Sequence, residues 1–409
     1  MRPIKPATFR NLLILCCLIT TLLSGCWDRQ EIEERANVLG VAIDLIDERA
    51  EKREPSVSHF NGGFPEPERR MLQLTAQIAV PGRIPLGPEA GGGAPQQKPV
   101  WVLSVVGHTI DDAMMNLQQQ LADRLFLGHL RVIIISEELA RKGIRELNDY
   151  LRRNPEVRRT AWMLVANGRA AAAMEASPEL ERVPTLYLTA TMNQAVGLGK
   201  FPNDFLGIFW TALSSKGMDP YLPYIKVLKK DNILIAGLAY FRGDQMVGVA
   251  EPMEIGFFMA VKGFEQGGYG GFTPVPGKEG SVLLRATRRH TKVNVNLKGG
   301  QPHFAVKVHY ELEVDEKTST RFSLNKPELL RKIEREAAQG AKLTIEKLIK
   351  KTKQKGSDIF GFGEYVRAKL PGYWNRHIGT TEKWRQMYKD VPVDVKVMVH
   401  IRRIGMKGR

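Results

Sequence analysis

The 409-residue sequence is nearly free of cysteine. Its three thiols, Cys16, Cys17 and Cys26, all fall in the first 26 residues, so the rest of the chain can form neither a disulfide framework nor a thiolate metal site. It also lacks any apolar run of membrane-spanning length, since ~20 residues are needed to cross a bilayer. HExxH, GxSxG, CxxC and Walker patterns are absent. Gly197-Leu198-Gly199-Lys200 only echoes a phosphate loop: Gln194 stands where the first glycine belongs, and Phe201 where a Ser or Thr would bind magnesium. The eight histidines are dispersed. His303 and His309 have no third ligand near in sequence, and His129 sits between a helix and a buried strand. Asp111 and Asp112 fall in the first turn of a helix, where the helix dipole alone accounts for them. Catalysis needs a nucleophile or base with a partner, and none is legible. The sequence therefore predicts a protein that is not an enzyme, with no metal and no cofactor.

What is present at the start is an address. Arg2, Lys5 and Arg10 form a basic n-region, Leu12–Leu23 a short apolar core, and Leu23-Ser24-Gly25-Cys26 a bacterial lipobox. Lipidation requires a thiol at that one position, so Cys26 is the expected lipid-bearing residue and residues 1–25 a lipoprotein signal peptide. Its loss would lower the net charge from +16 by three, leaving a basic chain suited to anionic headgroups or wall polymer. Nucleic acid is not an expected partner of an exported protein.

Periodicity gives an α+β fold of three domains, 26–190, 191–275 and 276–409. Leu72, Leu74, Ala76, Ile78 and Val80 alternate as a half-buried strand. Thr109 and Ser136 read as helix N-caps, and Leu130–Ile135 as a buried strand. Residues 47–70 and 81–99 are loops rich in polar residues, Gly and Pro, and 201–224 reads as an aromatic linker. Arg242-Gly243-Asp244-Gln245 is expected to be a hairpin turn rather than an adhesion motif. In the last domain residues 293–297, 304–314 and 391–401 alternate as strands with one wet face, giving a curved, antiparallel-rich sheet. Asn325 and Glu328 resemble a capping box opening a long helix that covers it. Leu330, Ile333, Ala337, Ala341, Ile345 and Leu348 form its inner stripe, and lysines from Lys342 to Lys355 crowd its second half as a solvated face.

Three stretches go beyond pattern. They are Cys26-Trp27-Asp28-Arg29 running through Glu31-Ile32 to Val38-Leu39-Gly40-Val41-Ala42-Ile43-Asp44; residues 125–158; and Asp358-Ile359-Phe360-Gly361-Phe362-Gly363-Glu364 followed by Leu370-Pro371-Gly372-Tyr373-Trp374. Together they closely resemble the Ger(x)C family, the lipoprotein C-subunits of nutrient germinant receptors in endospore-forming bacteria. The resemblance implies a three-domain protein on the outer face of the spore inner membrane. It also implies partnership with a receptor A-subunit and a polytopic B-subunit, and no enzymatic activity; a direct small-molecule ligand is not assured. The Pro/Gly-rich insertion around 81–99 departs from the family pattern. In physical terms Asp358 reads as a helix N-cap and Trp374 as buried against the final sheet, fold determinants rather than ligand contacts. The alternative reading is a solute-binding lipoprotein of a transporter, a class built from two α/β lobes around a cleft.

Overall fold

The computed structural model describes residues 35–47, 57, 71–81, 98–176, 181, 183–228 and 232–403. The signal segment, Cys26, Trp27-Asp28-Arg29 and most of the loops expected at 47–70 and 81–99 lie outside the described residues.

Long apolar runs make the middle of the first sheet. Strands β1 (Arg35–Ile46), β5 (Val132–Ser136), β6 (Trp162–Ala166) and β7 (Tyr221–Leu228) run parallel side by side. β5 and β6 are buried at every residue, as parallel strands covered on both faces should be. Antiparallel strands extend both edges: β2 (Met71–Ala79) and β3 (Val100–Gly107) beside β1, and β8 (Asn232–Arg242) and β9 (Gln245–Ala250) beside β7. With β4 (Arg124–Phe126) paired to β1, this is a nine-stranded mixed sheet. Most of the segment expected as a linker is helix α6 (Leu206–Ser214) and the start of β7. Thus the strands of 191–275 up to Ala250 hydrogen-bond into the first sheet.

The caps form as read. Thr109 Oγ1 accepts from Asp112 N at the start of α1 (Ile110–Gln118), and the Asp112 carboxylate accepts in return from His108 N at 2.8 Å. Ser136 caps α2 (Glu137–Lys142). Gly143, at φ 116°, ends that helix before α3 (Arg145–Arg153) begins. The alternating β2 is not half wet either. Its polar residues Thr75 and Gln77 are fully buried. Thr75 bonds Ser104 at 2.8 Å, and Gln77 meets Met174 O and Thr185. Met174 and Thr185 lie on α4 (Ala171–Glu175) and α5 (Pro184–Gly197), which pack on the sheet; a polar period of two cannot distinguish water from a polar neighbour.

The second sheet has four strands in the order β10 (Gly270–Pro274), β11 (Ser281–Lys298), β12 (Gln301–Lys317), β13 (Val393–Arg403). The first three are antiparallel, but β13 runs parallel to β12. A parallel partner needs a crossover. Here it consists of α8 (Pro327–Lys355), α9 (Phe362–Lys369), α10 (Pro371–Tyr373) with a following π turn at Trp374–Ile378, and α11 (Thr381–Tyr388). The expected capping box fails: α8 starts at Pro327, and its N-cap Lys326 makes no side-chain cap bond. Proline at the first helical position needs no N–H acceptor, which is why the start moves past Asn325. Ile333, Ile345 and Leu348 of α8 join Phe304, Val306 and Val308 of β12 in one core. The lysine run is partly used inside the fold. Lys351 pairs with Glu254 at 2.8 Å, and Lys353 donates to Val391 O at 2.6 Å. Helix α7 (Pro252–Lys262) contacts both β8 of the first sheet and β11 of the second.

Candidate functional site

The Asp-Ile-Phe-Gly-Phe-Gly-Glu segment begins where α8 stops. Gly356, at φ 63°, caps that helix, and the chain turns into the space between the two sheets. Ser357 Oγ donates to Phe241 O at 2.5 Å. Asp358 is fully buried, and its carboxylate is surrounded by donors. Oδ1 accepts from Gly361 N at 2.9 Å and Phe362 N at 3.1 Å; Oδ2 accepts from Gly363 N and from Trp384 Nε1, both at 2.9 Å. Asp358 therefore does cap α9, although the residue bordering the helix is Gly361. Both glycines are required by geometry: Gly361 has φ 77°, and a Cβ on Gly363 would lie 2.5 Å from Trp384 Nε1. Trp374 is buried as expected, and it stacks toward Trp384 at 6.1 Å between ring centroids.

The backbone of Asp358 ties this turn to the first half of the chain. Its N donates to Asp219 Oδ2 at 3.0 Å, and Asp219 N returns a bond to Asp358 O at 2.9 Å. The other Asp219 oxygen accepts from Gly243 N at 2.8 Å and from Arg385 Nε and Nη2 at 3.1 and 2.5 Å. Gly243, at φ 63°, lies in the Arg-Gly-Asp turn, which is the β8–β9 hairpin turn expected from its dipeptides. Glu364 completes the junction, accepting from Gly217 N at 2.8 Å while Glu364 N donates to Gly217 O at 3.1 Å. Four segments distant in sequence thus share two buried aspartates.

Burial pushes the Asp358 carboxyl up to about 7, opposed by its bonds from Gly363, Trp384 and Phe362. Lys262, whose Nζ lies 3.4 Å from Met218 Sδ, is driven down by burial and pulled back up by Asp358 and Asp204. Asp204 is raised by its own burial. The Asp358 oxygens are occupied by donors from within the chain, an arrangement that holds elements together.

The remaining sequence candidates are not brought together. His129 is half-buried beside Phe126, and burial followed by Arg158 and Arg131 lowers its pKa. His303 bonds Asp394 at 2.7 Å, and His309 pairs across the sheet with His290. Gly199 ends α5 in a left-handed turn packed onto Gly267, not around a phosphate. Among the described residues no group of three His, Cys, Asp or Glu side chains could hold a metal ion, and no helix is long and apolar enough to cross a membrane. Pattern reading missed the role of Asp219: nothing local distinguishes it from any loop aspartate before a proline. It also missed Asp44, in the first family motif, whose carboxylate accepts from Ala170 N and Ala171 N at 2.6 and 2.9 Å.

Two family models match consecutive parts of the chain. One, described as the spore germination protein N-terminal domain, covers residues 28–227; the other, spore germination B3/GerAC like, C-terminal, covers 236–405. The Asp219–Asp358 pair bonds the first region to the second. Spore germination protein KC of Bacillus subtilis (strain 168) is 26% identical over 97% of this chain and 96% of its own length. Spore germination protein GerQC of Bacillus cereus is 27% identical over 79% of this chain and 88% of its own. The crystal structure of the GerBC protein superposes with a TM-score of 0.52 at 16% identity, covering 83% of this chain and 96% of that one, a likeness of fold.

Proposed function

Since the chain belongs to the Ger(x)C family of spore germination proteins, we propose that it is the non-catalytic lipoprotein C-subunit of a nutrient germinant receptor. In this reading Cys26 carries the lipid that holds it to the outer face of the spore inner membrane. There it supports assembly or coupling of the membrane-embedded A and B subunits. The observation that carries the reading is the family match over both halves of the chain. The Asp219–Asp358 junction agrees with it, because the buried acids there bond to backbone, Trp384 and Arg385 rather than facing an open site. A lipid anchor confines a protein to two dimensions, where its effective concentration near membrane partners is high.

Deleting the gene should abolish germination triggered by a nutrient and leave sporulation intact; normal nutrient germination of the deletant, with no paralogue present, sinks the proposal. Cys26→Ala should lower the amount of A and B subunit recovered by crosslinking in spore membranes. An exported, abundant and fully functional Cys26→Ala protein would show the tether to be dispensable. The solute-binding alternative calls for two α/β lobes around a cleft. Against it, the second sheet has one well-buried face: β12 alternates buried and partly exposed residues along its length.

A further inference from the structure

The second sheet carries a feature that neither the family motifs nor the junction uses. Between its β10–β12 strands and helix α8 lies a cleft of about 380 Å³, within the range of small-molecule sites. Small residues make the room: Gly270 and Gly271 on β10, Ala286 on β11, and Ala337, Gly340 and Ala341 on α8. Gly340 is the informative one. It stands in the middle of a 29-residue helix, where glycine costs about 1 kcal/mol relative to alanine. A Cβ there would meet nothing within 4 Å, so no tight helix contact explains the glycine, and its bare backbone leaves that wall of the cleft open.

The cleft is lined mainly by apolar residues, and two polar ones among them, Arg289 and Tyr310, are incompletely bonded. A register shift between Ala286 and Arg288 interrupts the β11–β12 pairing. Before it the even residues Val282, Leu284 and Ala286 face inward; after it the odd residues Arg289 and Val295 do. The bulge thus turns an arginine into the core, a known use of bulges. Arg289, only 3% exposed, is directly opposite Tyr310 across the strands, so both side chains share one face. Two guanidinium nitrogens of Arg289 are held by backbone carbonyls of Gly256, Gln266 and Gly199. Its Nε and the Tyr310 hydroxyl are buried with no partner. Among the described residues no carboxylate pairs with the buried cation; the groups that act on it are Tyr310 and Tyr269, and an unpaired buried charge is costly. Glu336, exposed on α8, stands at the rim.

We propose that this cleft binds a small apolar carboxylate, received by Arg289 Nε and the Tyr310 hydroxyl, with its hydrocarbon part lying under Gly340. Two donors suit the two oxygens of a carboxylate and leave a phosphate under-bonded. The glutamate at the rim disfavours a second negative charge. The apolar part is met by Leu284, Leu312 and Val399, with Met253 and Phe272 at the mouth, where both are exposed. The site is independent of the receptor role, so its failure would leave that role standing.

The test is calorimetric titration of the full-length chain in lipid nanodiscs, with empty nanodiscs as the blank. Hydrocinnamate represents a free solute, octanoate a lipid-derived chain, and hydrocinnamyl alcohol the uncharged match. At least one carboxylate should bind once per chain and raise the melting temperature, with the alcohol about tenfold weaker or worse, the factor that corresponds to 1.4 kcal/mol. A stronger response to octanoate assigns the site to a lipid-derived carboxylate; a stronger response to hydrocinnamate assigns it to a free one. Tyr310→Phe should fold with unchanged or higher stability, because its hydroxyl has no bond to lose, and yet bind about tenfold more weakly. Gly340→Leu should fill the cleft, keep the fold and abolish binding. No binding of either carboxylate, equal affinity for the alcohol, or undiminished binding by Gly340→Leu would each overturn the assignment.

Discussion

Asp358→Asn isolates the buried junction better than any truncation, because it preserves volume and removes only charge and acceptor capacity. The amide oxygen can still take the N–H groups of Gly361 and Phe362. The amide nitrogen then replaces Oδ2 and points its own donors at Gly363 N–H and at the Trp384 indole. Two buried donors without an acceptor cost about 1–3 kcal/mol each, so the variant should lose about 2–6 kcal/mol. A protonated carboxyl is not equivalent, since its hydroxyl oxygen still accepts and an amide nitrogen does not. The wild type therefore has a pH dependence that the variant lacks. Burial pushes the folded carboxyl from its ordinary value of 3.8 up to about 7, so the folded state binds the proton more tightly over the interval between them. This contribution to stability is complete below the unfolded value and is lost as pH rises through the folded one. From pH 5 to pH 8 the wild type should lose about 2–3 kcal/mol relative to the asparagine variant. Urea denaturation followed by tryptophan fluorescence reads both effects. A loss under about 1 kcal/mol at pH 5, below the cost of a single unsatisfied donor, or parallel pH profiles for the two proteins, would refute the account.

Other substitutions test the neighbouring contacts. Arg385→Met leaves the Asp219 carboxylate buried without its cation; the expected loss is about 3 kcal/mol, the lower end for a broken buried pair because the arginine is itself partly exposed, and Arg385→Lys should recover part of it in the same denaturation assay. Gly363→Ala drives a methyl into the Trp384 indole and the Gly217 backbone, costing about 1–3 kcal/mol as overpacking, with the near-ultraviolet circular dichroism of the tryptophans altered. Asp44→Ala removes the acceptor for two N–H groups at the start of α4 and should lower stability by about 1–2 kcal/mol, as cap deletions do, measured as a fall in melting temperature. Gly340→Ala should instead raise stability by up to about 1 kcal/mol through helix propensity.

Local chemistry was legible from the sequence wherever the signal is short-range. Thr109 and Ser136 cap their helices because the bonded N–H lies three residues away. The 242–245 turn forms because Gly243 supplies the positive φ. The long inner stripe of α8 follows from 3.6-residue periodicity, and Ala337 and Ala341 pack against the core while also bordering the cleft. Reading failed where the deciding neighbour is remote. The polar face of β2 read as wet because its partners, Ser104, Met174 and Thr185, come from other elements. Nothing local sets Arg289 apart from Arg288 and His290, and only the bulge against β12 turns it inward.

By itself, then, the sequence determined the α+β class, most element positions and the family, because these depend on composition, period or contiguous motifs. The tertiary structure alone decided that residues 221–250 complete the first sheet and that β13 pairs parallel to β12. It alone placed Asp358 beside Asp219, 139 residues earlier in the chain. Strand order and buried polar partnerships are set by which surfaces meet, and one-dimensional periodicity carries the face a residue takes but not what lies across from it.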